Sequence, residues 1–226
     1  MVNHTDKSRN RLYLASGNNQ YKNTPVEKLE DYKEDIDKKI KSGFFGSNDI
    51  ISSYSEIGLD REELEGYVKQ TAQQHAAAAQ VSANLLSLQK VFDELSAEGY
   101  ITLHKAGFTS SDAYEVIDEV LAETNFKPYG YILYNEQDLN RCLDDGELTL
   151  SFGAFRDTEQ TQSNGKNKAE TGAYFQSKLE EAGFVVDWDG SPDRKITLLG
   201  FDFKNYFDGT DWYYTRSLAI LNKKAV

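Results

Sequence analysis

A chain of 226 residues with 39% hydrophobic and 12% aromatic side chains has apolar material for one large or two small cores. Its formal charge of −12 argues against direct binding of DNA or RNA, because affinity for phosphate backbones comes mainly from Lys and Arg displacing counterions. One cysteine and three histidines exclude an internal disulfide, a cysteine-rich zinc site and an H-E-x-x-H hydrolase, and no motif calls for a cofactor.

Residues 1–24 are polar and without hydrophobic period, and read as a loosely ordered arm. From Pro25 a helical stripe begins with Val26, Leu29, Tyr32, Ile36 and Ile40, supported by the i,i+4 pairs Glu34/Lys38, Asp35/Lys39 and Asp37/Lys41 and stopped by Gly43 and Gly46. A second helix is predicted from near Asp60, with an alanine run suited to close packing on a neighbour; His75 lies in it as a packed or surface residue. These elements make 25–81 a helical N-terminal region.

In the remainder, 82–226, helical and strand-like runs alternate. Leu85, Leu88, Phe92 and Leu95 mark a helix ended by Gly99, followed by a strand at 100–104, a helix at 110–123, a strand at 129–135 and a helix at 136–145. Cys142 falls in that last helix as a small core residue. A strand at 147–155, a polar loop at 157–168, a helix at 169–183 and a hairpin of 184–188 with 195–199 come next. The aromatic end, "FKNYFDGTDWYYTRSLAIL", reads as one more hairpin turning at Asp208-Gly209. The expected class is α+β: a helical N-terminal region followed by a mixed sheet with flanking helices and a C-terminal hairpin. No run of about 18 apolar residues marks a membrane span and the start lacks the apolar core of a secretory signal, so a cytoplasmic protein without a membrane partner is expected.

Three stretches are candidates for function. In "HKAGFTSSDAYE" a histidine, His104, ends a strand, and Thr109, Ser110, Ser111 and Asp112 open a helix; capping of that helix is one reading and a polar site at the strand's end another. In "GYILYNEQD", Glu136 and Asp138 either begin the next helix or form a carboxylate pair that works with His104 as a hydrolase. In "VVDWDGSPDRK", Asp187, Asp189 and Asp193 around Trp188 and Gly190 fit a hairpin turn, a partner-contacting loop or a metal site, although the order of acids fails the calcium-loop pattern. Charge is uneven as well. Asp112 to Glu147 holds ten acids against Lys127 and Arg141, a net of −8, which either keeps the surface solvated or steers a basic partner.

Together these stretches resemble a bacterial family of domains of unknown function. One branch of it carries G-x-x-x-L-H-x-A-G-[FY]-T-x-S-D, matched here by Gly99, Leu103, His104, Ala106, Gly107, Phe108, Thr109, Ser111 and Asp112; another replaces that loop by C-C-x-S-C, which is absent. The shared motifs G-Y-x-x-Y-x-x-Q-D, L-x-L-x-F-G and W-D-G-x-P are matched by Gly130, Tyr131, Tyr134, Gln137 and Asp138, by Leu148, Leu150, Phe152 and Gly153, and by Trp188, Asp189, Gly190 and Pro192, with Ile196 in the strand that follows. Asn135 stands where many relatives carry histidine. The likeness runs from Ser82 to Leu198, about half the chain, and implies the fold. The chain is also similar to immunity proteins paired with secreted DNase effectors in bacterial competition.

The expectation is therefore an immunity protein that binds a cognate toxin, a nuclease, and blocks it by occlusion without catalysis, metal or cofactor. His104, Thr109, Ser111, Asp112, Tyr134, Glu136, Gln137, Asp138, Trp188 and Asp189 are its expected contact residues, because a few aromatic and polar anchors dominate interface energy. The alternatives are a hydrolase or metal-dependent enzyme using His104 with Glu136 or Asp138, and a regulatory binding module with no toxin.

Overall fold

In the computed structural model, which describes residues 27–78, 80–210 and 212–225, a 3-10 turn (Leu29–Tyr32) runs into α1 (Lys33–Ser42) and together they carry the predicted stripe. The expected arm at 1–24, with Pro25 and Val26, lies outside the described residues. By its contacts the chain divides into two units. One takes in the described residues up to Gln80 together with Asn205–Thr210, the other Val81–Lys204 and the described residues after Asp211.

In the first unit, α1 and α2 (Ser47–Glu56) both pack on α3 (Arg61–Ala78). Ile36, Ile40, Ile50, Ile51, Tyr54, Leu64 and Val68 are buried and form its apolar interior. Two of the expected ion pairs close, Glu34–Lys38 at 3.1 Å and Asp35–Lys39 at 3.7 Å; Asp37 instead accepts a hydrogen bond from the Tyr67 hydroxyl at 2.7 Å. The sequence pattern left α2 unassigned. Its serines dilute the apolar period, and burial of Ile50, Ile51 and Tyr54 is what holds it. Ala76, Ala77 and Ala78, expected to pack closely, are exposed, and their high helix propensity sustains the end of α3 without a partner surface. The His75 ring nitrogen Nε2 lies 2.7 Å from the Asn205 carbonyl, and the Asn205 side chain donates to the Ser42 carbonyl at 3.0 Å.

The second unit opens with α4 (Ala83–Glu98), capped by Ser82, whose hydroxyl accepts from the Leu85 amide at 3.2 Å. Five strands follow: β1 (Ile101–Leu103), β2 (Gly130–Leu133), β3 (Leu148–Ala154), β4 (Val185–Asp187) and β5 (Ile196–Leu199). They form one sheet in the order β1-β2-β3-β5-β4. β1 and β2 are parallel and the other neighbours antiparallel. The parallel pair requires a crossover, and α5 (Ser110–Glu123) supplies it. α6 (Glu136–Asp145), α7 (Lys168–Glu181) and α8 (Thr215–Lys224) complete the fold. The apolar stripe of α5 (Ala113, Val116, Ile117 and Val120) packs with Ile101, Leu103 and Leu133 of the sheet and with Leu221 of α8. No helix among the described residues is long and apolar enough to cross a membrane.

The protein is thus α+β, with a helical N-terminal region and a mixed sheet flanked by helices. The expected C-terminal hairpin does not form. The turn at Asp208-Gly209 is present, with Gly209 at φ +83° and the Thr210 amide bonded to Asp208 at 2.8 Å, but no strand occupies the described residues of 201–214 and the chain ends as α8. Tyr214, Ser217 and Leu221 are buried at helical spacing while Arg216, Lys223 and Lys224 face outward, so the 3.6-residue period prevails over the aromatic richness that suggested a strand. Cys142 is buried, as expected of a core residue, and burial, aided by Asp145 and Asp202, pushes its thiol up to about 12.

Candidate functional site

Because β1 and β2 are parallel neighbours, the chain leaves both at the same end of the sheet and the two following loops run side by side. The Ala106 amide donates to the Tyr134 carbonyl at 2.8 Å, the Glu136 amide to the Gly107 carbonyl at 3.0 Å and the Gln137 amide to the Phe108 carbonyl at 3.2 Å. Two of the sequence motifs are therefore one structure. Gly107 sits at φ +66°, and a Cβ there would lie 2.4 Å from the Asp112 Cβ, so only glycine passes. Lys105 adopts φ +47°, a left-handed conformation that costs a non-glycine residue roughly 1 kcal/mol.

Each loop ends in a capping box. The Asp112 carboxylate accepts from the Thr109 amide at 2.7 Å while the Thr109 hydroxyl receives the Asp112 amide. Asn135 and Asp138 repeat the arrangement for α6, with the Asp138 amide bonded to Asn135 at 2.9 Å. Asn135 is a good helix cap. Both carboxylate oxygens of Asp138 also lie 3.0 Å from Lys195 Nζ, tying α6 to the chain just before β5.

His104, Tyr134, Glu136 and Asp138 are all buried. The His104 ring is enclosed by Phe92, Tyr134 and Trp212 at centroid distances of 4.7, 5.5 and 5.2 Å. Its Nδ1 lies 3.0 Å from the Tyr134 hydroxyl, and its Nε2 has no hydrogen-bond partner among the described residues. Burial, only partly opposed by Asp93 and reinforced by Arg216, pushes His104 from the ordinary 6.5 down to about 3. The imidazole is therefore held neutral within an aromatic enclosure. Linkage gives the sign of its effect on stability. Between pH 6.5 and about 3 the unfolded chain takes up a proton that the folded chain refuses, so stability is full above that window and falls as acid is added. Denaturant melts across this range are expected to show the decline, with imidazole NMR shifts reporting a neutral His104 until the acid end of the window; an imidazole that titrates near its ordinary value in the folded protein would contradict this.

The Trp188 loop is closed on itself. The indole N–H donates to the Ser191 and Arg194 carbonyls at 3.0 and 3.1 Å, and the Asp189 carboxylate accepts the Ser191 amide at 2.9 Å. Arg194 pairs with Asp187 and approaches Asp189 at 3.6 Å. The Ser191 amide, then Arg194, holds Asp189 below the usual carboxylate range. Among the described residues no group of three or more His, Cys, Asp and Glu is gathered for a metal ion. The Trp188 ring packs edge-on against Phe152 at 5.6 Å.

Of the ten expected contact residues, Ser111, Gln137 and Asp189 are exposed and Thr109, Asp112 and Trp188 are half-buried; His104, Tyr134, Glu136 and Asp138 face inward. The first six lie on the first turns of α5 and α6 and on the loops beside them, where the hydrogen bonds above and Lys195 tie the segments together. Sequence reading missed Tyr114. It is 56% exposed on the outer side of α5, flanked by the exposed Glu115 and Asp118, and its ring stands edge-on to Tyr131 at 6.2 Å. Its place outside the Ala113, Val116, Ile117, Val120 stripe is the signal that would have found it. Glu119 and Glu123 on the same helix accept from the Tyr213 and Tyr214 hydroxyls, each at 2.7 Å.

Motif residues build the paired loops at one end of the sheet of this α+β protein, and the acidic helix α5 presents a ring beside them. Residues 25–207 match the model of a family described as a domain of unknown function, DUF6891, and the chain belongs to that family. No curated protein and no solved structure matches it.

Proposed function

We propose that this protein is an immunity protein that binds a cognate bacterial toxin, a nuclease, and neutralises it by covering its basic substrate groove without catalysis. The observation that carries the reading is the outer face of α5, where the 56% exposed ring of Tyr114 stands among the exposed carboxylates of Glu115 and Asp118. Aromatic anchors ringed by polar groups supply most interface energy, and opposite potentials speed encounter and fix register. A nuclease must present cations to hold its substrate, so this face mimics the charge of the substrate while its ring adds apolar contact. Ser111, on the same helix, and Gln137 and Asp189 extend the contact. His104, Tyr134, Glu136 and Asp138 support it from beneath as structural residues. A cytoplasmic location follows from the reading, since a nuclease has to be stopped where the DNA is.

The test is coexpression with candidate nuclease toxin domains taken from the neighbouring reading frames. Cells carrying both are expected to survive, and the nuclease is expected to copurify with this protein in an inactive state. Cell death in the presence of the folded protein, or a nuclease that remains active in the mixture, would remove the reading.

A further inference from the structure

A cavity of about 180 Å³ opens in the second unit between the first turn of α5, the middle of β2 and β3, the 192–195 segment and the start of α7. Its composition runs against the rest of the molecule. Lys168, Arg194 and Lys195 line it with Asp193 as the one acid, on a chain whose net charge is −12. Behind these charges the wall is apolar: Ala113, Leu133 and the rings of Tyr131 and Phe152. The apolar wall depends on close approach of the backbone. Tyr131 lies directly over Gly153, where a Cβ would come within 2.5 Å of its ring.

The three cations are not equivalent. Lys195 is held by Asp138 and Arg194 by Asp187 and Asp189, so both are fixed in direction and largely neutralised. Lys168 forms no salt bridge among the described residues; its ammonium stands 5.7 Å from the centroid of the Phe152 ring. It is the first residue of α7, and Ser110 is the first of α5, so two helix N-termini add positive potential at the opening. The Ser151 hydroxyl also lines the cavity.

We propose that this cavity binds a small aromatic carboxylate, with the ring against Leu133, Ala113 and Phe152 and the carboxylate on Lys168. Size limits the ligand. The volume of about 180 Å³ is close to the roughly 150 Å³ of a protein cavity that accepts benzene, so a single ring matches the enclosed space. Chemistry limits it from both sides. An inorganic anion would leave the apolar wall wet, and a neutral ring would leave the ammonium of Lys168 without the partner that the site's charge favours. The inference does not rest on the toxin reading, and its test involves no toxin.

The full chain is titrated with sodium benzoate, and with benzamide as the neutral counterpart, following amide shifts by NMR. Benzoate is expected to bind saturably, with shifts confined to the first turn of α5, residues 131–133, 151–152, 192–195 and the start of α7. Benzamide is expected to bind about tenfold more weakly, the difference a charge-assisted hydrogen bond makes. Lys168→Gln is expected to bring benzoate down to the benzamide level with an unchanged melting temperature, because Lys168 is exposed and holds no ion pair. Equal binding of the two compounds, no saturable shift with benzoate up to about 10 mM, or unchanged benzoate affinity in Lys168→Gln would each overturn the proposal.

Discussion

Gly130→Ala is expected to destabilise the second unit by about 3 kcal/mol or more, at the far end of what single substitutions do. Gly130 pairs with Ala154 in the antiparallel ladder of β2 and β3. A Cβ there would lie 2.2 Å from the Gly153 carbonyl oxygen and 3.2 Å from the Ala154 Cα. Both obstacles are backbone, so no side chain can swing aside. Relief requires β2 and β3 to separate, and β2 is an interior strand held by β1 on its other side. With total stabilities near 5–15 kcal/mol, the variant is expected to lose a large part of its denaturation midpoint. Gly66→Ala is the control. Nothing lies within 4 Å of a Cβ at that position, which is inside α3, and the change should leave stability equal or raise it by up to about 1 kcal/mol. Equal midpoints for Gly130→Ala and the parent would mean that the close approach is not a feature of the fold in solution.

Replacing Tyr114 by Ala is expected to weaken the proposed complex with a nuclease toxin by about 2–4 kcal/mol, roughly thirty- to a thousand-fold, the range of an interface hot spot. The stability of the free protein should change far less. The ring is 56% exposed, and its neighbour contact is the edge-on meeting with Tyr131, whose hydroxyl lies 3.5 Å from that of Tyr114. The paired reversal Glu115→Lys and Asp118→Lys should act differently. It is expected to slow association and to flatten its dependence on salt, because rim charges set encounter rates more than residence times. Surface plasmon resonance at two ionic strengths separates the two effects. Tyr114→Ala with unchanged affinity would remove the ring from the interface, and a reversal that leaves the association rate unchanged would remove the charges.

Much of the fold was legible in the sequence because local chemistry and global pattern agree there. β5 and most of β3 alternate buried with more exposed positions as the strand period requires, and the polar run Thr109 to Asp112 announces the start of α5, which the structure caps between Thr109 and Asp112. Glu136 and Asp138 mark the start of α6 by their charge, and the structure adds Asn135 as its cap. The misses occur where the cue is weak or non-local. α2 is held by three buried side chains among serines, and α8 replaces the expected strand because Ser217, a polar residue, occupies a buried position: its hydroxyl bonds to Ser96 at 2.9 Å and receives the Thr102 amide at 3.1 Å. The site was legible in part. That Thr109, Ser110, Ser111 and Asp112 open a helix could be read from their motif, but the closure of Phe92 and Trp212 over His104 joins residues 120 apart in the chain. A histidine at a strand's end looks accessible until the residues that cover it are in place. Tyr114 is the converse, a ring whose exposure depends on which side of α5 meets the sheet.

Hydrogen–deuterium exchange of the chain, alone and in complex with the copurified nuclease, tests the contact surface most directly. Added protection should fall on Ser110–Glu123, strongest around Tyr114, Glu115 and Asp118, and extend to the peptides that carry Gln137 and Asp189. Protection confined to the first unit, with exchange along α5 the same in both states, would contradict the account.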